Sequence, residues 1–188
     1  MQRKLILASK SPRRSFLLKQ AGFEFEINAV DIDEEAYPKD LPVEDVAAYL
    51  AQQKAQAAKH FITDNEIIIA SDSVVILDNQ IFGKPADYPD AVRILRALSG
   101  RMHRVITGVC LLSYDKEVVF SDVAKVYFDV LNDEEIEYYI RNYQPYDKAG
   151  AYAIQEWIGL CKITKIEGTY ANIMGLPVHL VYEQLQHF

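Results

Sequence analysis

The stretch IIIASDSVVIL at residues 67–77 is strongly apolar and rich in β-branched side chains. Such a run predicts a buried strand, or two buried strands that share a bend. Asp72 lies in the middle of the run, where an ionised carboxylate is costly unless it is paired or bound to a metal ion. Asp72 is therefore a candidate general base or metal ligand. The alternative is an aspartate that caps a turn at the end of a strand.

Strand and helix patterns alternate along the chain on both sides of this stretch. We predict strands at 4–8, 23–27, 81–83, 105–113, 117–128 and 158–166, and helices at 12–21, 43–61, 89–98, 132–141 and 178–187. Gly22 is expected to end the first helix in a left-handed conformation, and Asn132 with Glu135 predicts a capping box at the start of the fourth. Because only a short turn separates strands 105–113 and 117–128, a purely parallel sheet is not expected. The alternation predicts an α/β fold with a mixed sheet and helices, in a single domain over residues 1–188.

Composition and charge exclude several classes of protein. The formal net charge is −7 and the pI is about 5.1, which disfavours binding to nucleic acid through a broad basic face. The apolar runs are too short for a membrane span, and residues 1–10 contain no signal-peptide pattern, so we expect a cytoplasmic protein without a membrane partner. Cys110 and Cys161 lie far apart in the sequence and outside any CxxC motif, so we expect two reduced, structural thiols. The histidines do not have the spacing of zinc ligands, so a zinc site is not expected. An anionic substrate would need a local cluster of cations.

The first such cluster follows the first predicted strand. Ser11-Pro12 predicts a helix start, and Arg13 and Arg14 then occupy the first turn. Cations oppose the helix dipole at this end, so the arrangement suggests an anion bound between them. Backbone N–H groups, the hydroxyl of Ser9 and the two guanidinium groups would converge on one phosphate. The alternative is a pair of solvated surface arginines.

Two lysines are further candidates. Lys54 lies on the apolar stripe of helix 43–61, where it either extends to water or points into a phosphate-binding cleft. Lys84, in Phe82-Gly83-Lys84-Pro85, follows a short strand, and a surface turn explains it equally well. The chain contains no GxxxxGK[ST] motif.

Two other polar features complete the candidate set. The acidic run at 31–35, which includes Glu34, is either a solvated loop or a source of carboxylates for Mg²⁺. The segment GAYAIQ at 150–155 places Gln155 at the predicted end of an apolar strand. Its amide could contact the edge of a base, or simply satisfy backbone groups.

Together, these segments resemble the Maf family of nucleoside triphosphate pyrophosphatases, whose fold is related to that of the inosine triphosphatases. The matching segments are LILASKSPRRSFLL, VDIDE, LAQQKAQAA, IIASDSVVILDNQIFGKP, ALSGRMHRVITGV, YDKAGAYAIQ and IEGTYANIMGLP. They follow the family's order over nearly the whole chain. The resemblance implies a twisted mixed sheet flanked by helices, with two lobes and a central cleft.

The resemblance also implies roles for individual residues. Asp72 corresponds to the proton acceptor, and Ser9, Arg13, Arg14, Lys54 and Lys84 correspond to the phosphate-binding set, with Glu34 as a further carboxylate of the cleft. Arg13, Ser73 and Gln155 fall at the specificity positions. Asp72 and Glu34 are the expected ligands of a divalent cation, Mg²⁺ or Mn²⁺.

The pattern KAGAYAIQ resembles the branch that acts on dTTP and UTP rather than on methylated GTP. The implied enzyme is a homodimeric hydrolase of nucleotide metabolism that releases the monophosphate and pyrophosphate from dTTP and UTP, or from modified pyrimidine nucleotides. Ser73 replaces the more common threonine, and Glu156-Trp157 replaces the glycine that commonly follows the glutamine. Two alternatives remain: a pyrophosphatase for 7-methyl-GTP, and a nucleotide-binding regulator of septum formation without essential turnover.

Overall fold

The computed structural model describes residues 3–34, 36–63 and 65–188. Seven strands and seven helices account for most of these residues, and short 3₁₀ turns lie between some of them. The strands are β1 (Lys4–Leu7), β2 (Phe25–Ile27), β3 (Glu66–Leu77), β4 (Gln80–Phe82), β5 (Met102–Leu112), β6 (Glu117–Phe128) and β7 (Ile163–Glu167). The helices are α1 (Pro12–Gln20), α2 (Val46–Ala57), α3 (Tyr88–Leu98), α4 (Asp133–Tyr143), α5 (Trp157–Cys161), α6 (Tyr170–Met174) and α7 (Val178–Leu185).

The strands form one mixed sheet in the order β2-β1-β3-β5-β6-β7, and β4 pairs with β3. Strand β1 pairs in parallel with both β2 and β3. The pairs β3–β4 and β6–β7 are antiparallel. The predicted mixed α/β sheet is therefore confirmed.

The chain divides into two compact units. The first contains residues 1–73, 107–122 and 175–188, and the second contains residues 74–106 and 123–174. Strands β3, β5 and β6 contribute residues to both. The two units agree with the predicted two lobes, whereas the single domain and the central cleft stay predictions.

The first unit buries both faces of its part of the sheet. Side chains alternate between the faces of a strand, so neighbouring residues enter different clusters. Ile68 and Ala70 of β3 pack with alanines of α2, such as Ala51. Ile67 and Ile69 pack on the other face with residues of α1 and α7 (Leu17, Leu18, Val178, Val181 and Leu185). The result is a helix–sheet–helix arrangement within this unit.

The second unit has its own apolar core, to which helices α3 and α4 contribute most of the helical side chains. Helix α3 begins after Asp87, whose side chain accepts a hydrogen bond from the N–H of Asp90. Helix α4 has the predicted capping box, in which Asn132 and Glu135 bind each other's backbone N–H groups. These caps set where the two helices begin.

Several predicted boundaries are wrong. Residues 158–166 were expected to form one strand, but they contain most of α5, a break at Lys162 and the start of β7. A short apolar run fits a strand and a buried helix equally well, so periodicity could not separate them. Helix α2 begins at Val46, not near Val43, and α6 was not predicted. None of the helices in the described part of the chain has the length and apolar character of a membrane span.

Candidate active site

Asp72 lies within β3, several residues from either end, so the turn-cap interpretation is wrong. It has the same parity along the strand as Ile68 and Ala70, which pack against α2. Lys54 lies on the buried stripe of that helix, four residues after Leu50 and three after Ala51. The alternation of the strand and the period of the helix therefore direct the carboxylate and the ammonium group toward each other.

Lys54 forms two ion pairs. Its Nζ atom lies 2.5 Å from Oδ1 of Asp72 and 2.7 Å from Oε1 of Glu34. Lys54 and Asp72 are each only 7% exposed. The side chain does not extend to water, so the solvated interpretation of Lys54 is wrong. One ammonium group joins two carboxylates that come from a strand and a loop.

Arg14 is held on three sides within the first unit. Its Nε donates to the carbonyl of Gly175 at 2.9 Å, and its Nη1 donates to Oγ of Ser9 at 3.1 Å. Its Nη2 lies 3.4 Å from Oγ of Ser73. These bonds tie the guanidinium to the end of β1, to β3 and to the segment before α7. Arg14 is thus a fixed side chain and not a solvated one.

Burial lowers the pKa of Arg14, and the charge of Asp72 opposes this shift. Arg13 also lowers the pKa, whereas Glu34 raises it. An arginine stays cationic at neutral pH despite such shifts. Arg13, Asp72 and Glu34 are therefore all close enough to Arg14 to influence its charge.

The start of α1 has the geometry of an anion-binding helix end. Ser11 is the N-cap residue in an extended conformation, Pro12 follows at the first helical position, and the first turn contains no acidic residue. Ser9 is 8% exposed, and its Oγ accepts a hydrogen bond from the N–H of Ser11 at 3.2 Å. Arg13 lies in this turn and is half-buried. The positive end of the helix dipole therefore lacks a compensating charge on its own first turn.

Three residues of this network, Ser71, Thr107 and Gly175, had no role in the sequence-based prediction. The Oγ1 atom of Thr107 lies 2.8 Å from Oγ of Ser73. The carbonyl of Gly175 accepts from Arg14 and also from the Ser71 hydroxyl at 3.3 Å. Thr107 interrupts an apolar strand, and that polar interruption is the signal that could have identified it.

Lys84 and Gln155 belong to the second unit. Lys84 is exposed and follows β4, and the preceding Gly83 carbonyl accepts a hydrogen bond from the N–H of Gly150 at 3.0 Å. The loop of Lys84 is thus joined to the first residue of GAYAIQ. Gln155 is exposed and lies in a turn, so its expected position at the end of a strand is wrong.

The structure therefore brings Ser9, Arg13, Arg14, Glu34, Lys54, Asp72 and Ser73 into one unit, and places Lys84 and Gln155 in the other. Within the first unit, ion pairs connect Lys54 with Asp72 and Glu34, and hydrogen bonds connect Arg14 with Ser9 and Ser73. The roles of these residues in catalysis and specificity stay predictions.

The carboxylates of Asp72 and Glu34 fit a divalent cation that takes only a few of its ligands from the protein. The carboxylates of Asp72 and Glu34 already converge on one positive group, the Lys54 ammonium. No cluster of three or more potential metal-ligating side chains occurs in residues 3–34, 36–63 and 65–188. Mg²⁺ commonly binds through one or two carboxylates together with substrate phosphates and water. Two converging carboxylates meet that requirement.

The fold and this cluster define an α/β protein with buried, ion-paired groups beside a helix end suited to anions. The model of the family described as Maf-like protein matches residues 4–188. The chain belongs to this family.

Curated relatives extend over almost the whole chain. A dTTP/UTP pyrophosphatase of Porphyromonas gingivalis is 48% identical over 187 residues, which cover 98% of this chain and 94% of the relative. A dTTP/UTP pyrophosphatase of Parabacteroides distasonis is 44% identical over 185 residues, which cover 98% and 96%. The solved Ham1 protein of Staphylococcus aureus is 14% identical, covers 67% of this chain and 72% of its own, and has a TM-score of 0.49. That last similarity is too weak to support an argument.

Proposed function

We propose that this protein is a hydrolase that converts dTTP and UTP to the monophosphate and pyrophosphate and so removes unwanted nucleotides from the cellular pool. The observation that carries the proposal is the Lys54 ammonium group bound to both Asp72 and Glu34 in the unit that also holds Arg14. The names and near-complete coverage of the curated relatives support the same substrates.

The cations of this unit suit a triphosphate. A protein with net charge −7 repels such an anion over most of its surface, so binding needs concentrated local positive charge. Arg13, Arg14 and the N-terminus of α1 provide it. We assign Lys54 and Lys84 to the same purpose.

In the proposed reaction, a water oxygen forms a bond to the α-phosphorus of the substrate. The bond between that phosphorus and the oxygen that bridges to the β-phosphorus breaks, and the bridging oxygen leaves with pyrophosphate. We assign to Asp72 the role of accepting the proton of the attacking water, because its carboxylate is buried in the unit that holds the candidate phosphate-binding cations Arg14 and Lys54. Arg14 and Lys54 stabilise the negative charge that develops on the phosphate oxygens.

Asp72 and Glu34 would hold the divalent cation, Mg²⁺ or Mn²⁺. When bound, the cation supplies charge neutralisation and an oriented water molecule. Lys54 keeps the two carboxylates close together without it, since one ammonium group pairs with both.

The proposal includes a homodimer in the cytoplasm that binds nucleotides but not nucleic acid. The acidic net charge supports the exclusion of nucleic acid. Sedimentation of the purified protein would test the dimer, and monomers at all concentrations would contradict it.

The test is pyrophosphate release from dTTP, UTP, dCTP, GTP and 7-methyl-GTP in the presence of Mg²⁺ or Mn²⁺. We expect turnover of dTTP and UTP, and a loss of about 100-fold or more in Asp72→Asn, within the range for removal of a general base. Circular dichroism would check that the variant is folded. A near-wild-type rate in this variant would contradict the role of Asp72.

The other outcomes separate the alternatives. Turnover of 7-methyl-GTP alone would keep the chemistry and overturn the proposed base preference. Tight nucleotide binding without pyrophosphate release would instead identify a nucleotide-binding regulator.

A further inference from the structure

Gln155 lies in a tight turn of the second unit. The N–H of Glu156 donates to the carbonyl of Ala153 at 3.2 Å, which closes a four-residue turn with Gln155 at its third position. Ala153 and Ile154 are each 6% exposed, whereas Gln155 is exposed. The turn therefore presents one polar side chain from an otherwise buried segment.

The hydroxyl of Tyr139 holds both ends of this turn. It accepts a hydrogen bond from the N–H of Ala153 at 3.0 Å and donates one to the carboxylate of Glu156. Tyr139 is fully buried in helix α4, within the core of the second unit. Burial and the bond to Glu156 raise the pKa of this hydroxyl, so it remains a donor at neutral pH. A single side chain of the core thus fixes the first and last residues of the turn.

Lys148 balances the charge of Glu156. Its Nζ atom lies 3.5 Å from Oε1 of Glu156 and 2.7 Å from Oδ1 of Asp147. Lys148 is 8% exposed, so its ion pair with Glu156 is largely removed from water. A partly buried carboxylate needs such a partner, because an unpaired charge in this environment is strongly destabilising.

Glu156 is also the residue from which α5 starts. Its carbonyl accepts hydrogen bonds from the N–H groups of Gly159 and Leu160 at 3.0 and 3.2 Å. The backbone after Gln155 is therefore part of a helix end, and the backbone before it is held by Tyr139. Glu156 and Trp157 replace the glycine that commonly follows the glutamine in the family. The side chain of Glu156 contacts Tyr139 and Lys148, and a glycine could make neither contact.

We infer that Tyr139, Glu156 and Lys148 are positioning residues that select the base of the nucleotide by fixing the backbone on either side of Gln155. The inference rests on the proposed function, together with the sequence-based expectation that Gln155, at a specificity position, contacts the base. An amide distinguishes one base from another only if its oxygen and its NH₂ group are held in a defined orientation. An exposed side chain in a free loop would lose that orientation, since ordering it would cost conformational entropy at each binding event.

The test compares Tyr139→Phe and Glu156→Gln with the wild type, with Tyr143→Phe as the matched control. Tyr143 stacks on Tyr139 at a centroid distance of 5.1 Å, so the control also removes a hydroxyl from this aromatic pair. The measurements are kcat and KM for dTTP, UTP and dCTP, and competitive inhibition by inorganic tripolyphosphate, which has no base. Thermal unfolding reports separately on stability.

We expect Tyr139→Phe to raise the KM for dTTP and UTP about tenfold, the size of one lost hydrogen bond to a charged group. The preference for dTTP over dCTP should fall by a similar factor, while the inhibition constant of tripolyphosphate stays within about twofold. Glu156→Gln should change the preference in the same direction but less, since an amide still accepts from Tyr139. Tyr143→Phe should retain the wild-type preference.

Three results would overturn the inference. One is an unchanged base preference in a folded Tyr139→Phe or Glu156→Gln variant. Another is an equal loss for dTTP and tripolyphosphate, which would indicate a general structural effect. The third is the same loss of preference in Tyr143→Phe. Absence of turnover in the wild type would instead contradict the proposed function itself.

Discussion

The Nζ atom of Lys54 lies 2.5 Å from Oδ1 of Asp72, although one residue belongs to helix α2 and the other to strand β3. Both side chains are buried, and Glu34 is the second partner of the lysine. A buried ion pair is not in itself evidence of stability, because desolvation opposes the attraction of the charges. The position of this ion pair in an apolar layer is better explained by a reaction that needs a carboxylate and a cation together.

Replacement of Lys54 by methionine should separate structural from chemical effects. It leaves Asp72 and Glu34 without their shared cation, so we expect the free energy of unfolding to fall by about 3–5 kcal/mol. Pyrophosphate release should fall about 100-fold or more, since a fixed charge near the phosphates is lost. Urea unfolding and steady-state kinetics would measure the two effects. A variant as stable and as active as the wild type would show that the ion pair is incidental.

Glu34→Gln tests the metal assignment. The substitution removes one of two converging carboxylates, so the Mg²⁺ concentration for half-maximal rate should rise about tenfold or more. Glu117→Gln is the matched control, because Glu117 contacts Gln52 and Gln56 of the same helix that carries Lys54. Titration of the rate with Mg²⁺ gives the comparison. Equal shifts in both variants would assign the effect to helix α2 rather than to metal binding.

Gly175→Ala tests the tether of Arg14. Gly175 has a φ angle of +110°, and a Cβ atom there would lie 3.4 Å from Nε of Arg14 and from Oγ of Ser73. We expect a loss of about 1–2 kcal/mol in unfolding free energy from backbone strain. The KM should also rise severalfold, because relaxation of the strained backbone would move the Gly175 carbonyl that binds Nε of Arg14.

Gly22→Ala provides the control for that strain. Gly22 has a φ angle of +80°, and a Cβ atom added there would face open space in the described part of the chain. It should therefore lose stability without a change in KM. An unchanged KM in Gly175→Ala would contradict the positioning role of this segment.

The buried His103 predicts a dependence of stability on pH. Burial lowers the pKa of His103 to about 3, from an ordinary value of 6.5. The folded state therefore holds a neutral imidazole where the unfolded chain is protonated. Below pH 6.5 the unfolded state binds more protons, so stability should fall as the pH falls, by about 1.4 kcal/mol per unit until about pH 3.

His103→Gln should remove this contribution while preserving a polar partner for the Tyr152 hydroxyl, which lies 2.7 Å from Nε2 of the histidine. Urea unfolding at pH 7 and pH 5 would measure it. Equal pH dependence in the variant and the wild type would show that other groups dominate acid unfolding.

Local signals were sufficient for much of the fold. Ser11-Pro12 marked the start of α1, and Gly22 has the left-handed conformation expected after its end. The capping box of Asn132 and Glu135 marked the start of α4. Such contacts join residues within one turn, so the sequence contains both partners. Helix α5 was missed because its five residues are too few for periodicity to distinguish a helix from a strand.

Part of the candidate site could also be predicted from the sequence. Asp72 was conspicuous because a charge in an apolar strand requires a partner, and two arginines at a helix start require an anion or an acid. Thr107 and Gly175 were not assigned, because a hydroxyl or a backbone carbonyl does not stand out until its partner is known. The partners are distant along the chain: 18 residues separate Lys54 from Asp72, and 161 separate Arg14 from Gly175.

The sequence alone determined which side chains would be anomalous and on which face of β3 each would lie. Alternation places Asp72 with Ile68 and Ala70, and places Ser71 and Ser73 with Ile67 and Ile69. Only the tertiary structure decided that α2 covers the first face, with Lys54 against Asp72, and that Arg14 binds both Ser73 and Gly175 on the second. The physical reason is that periodicity is a property of neighbouring residues, whereas partners are chosen by the packing of whole helices on the sheet.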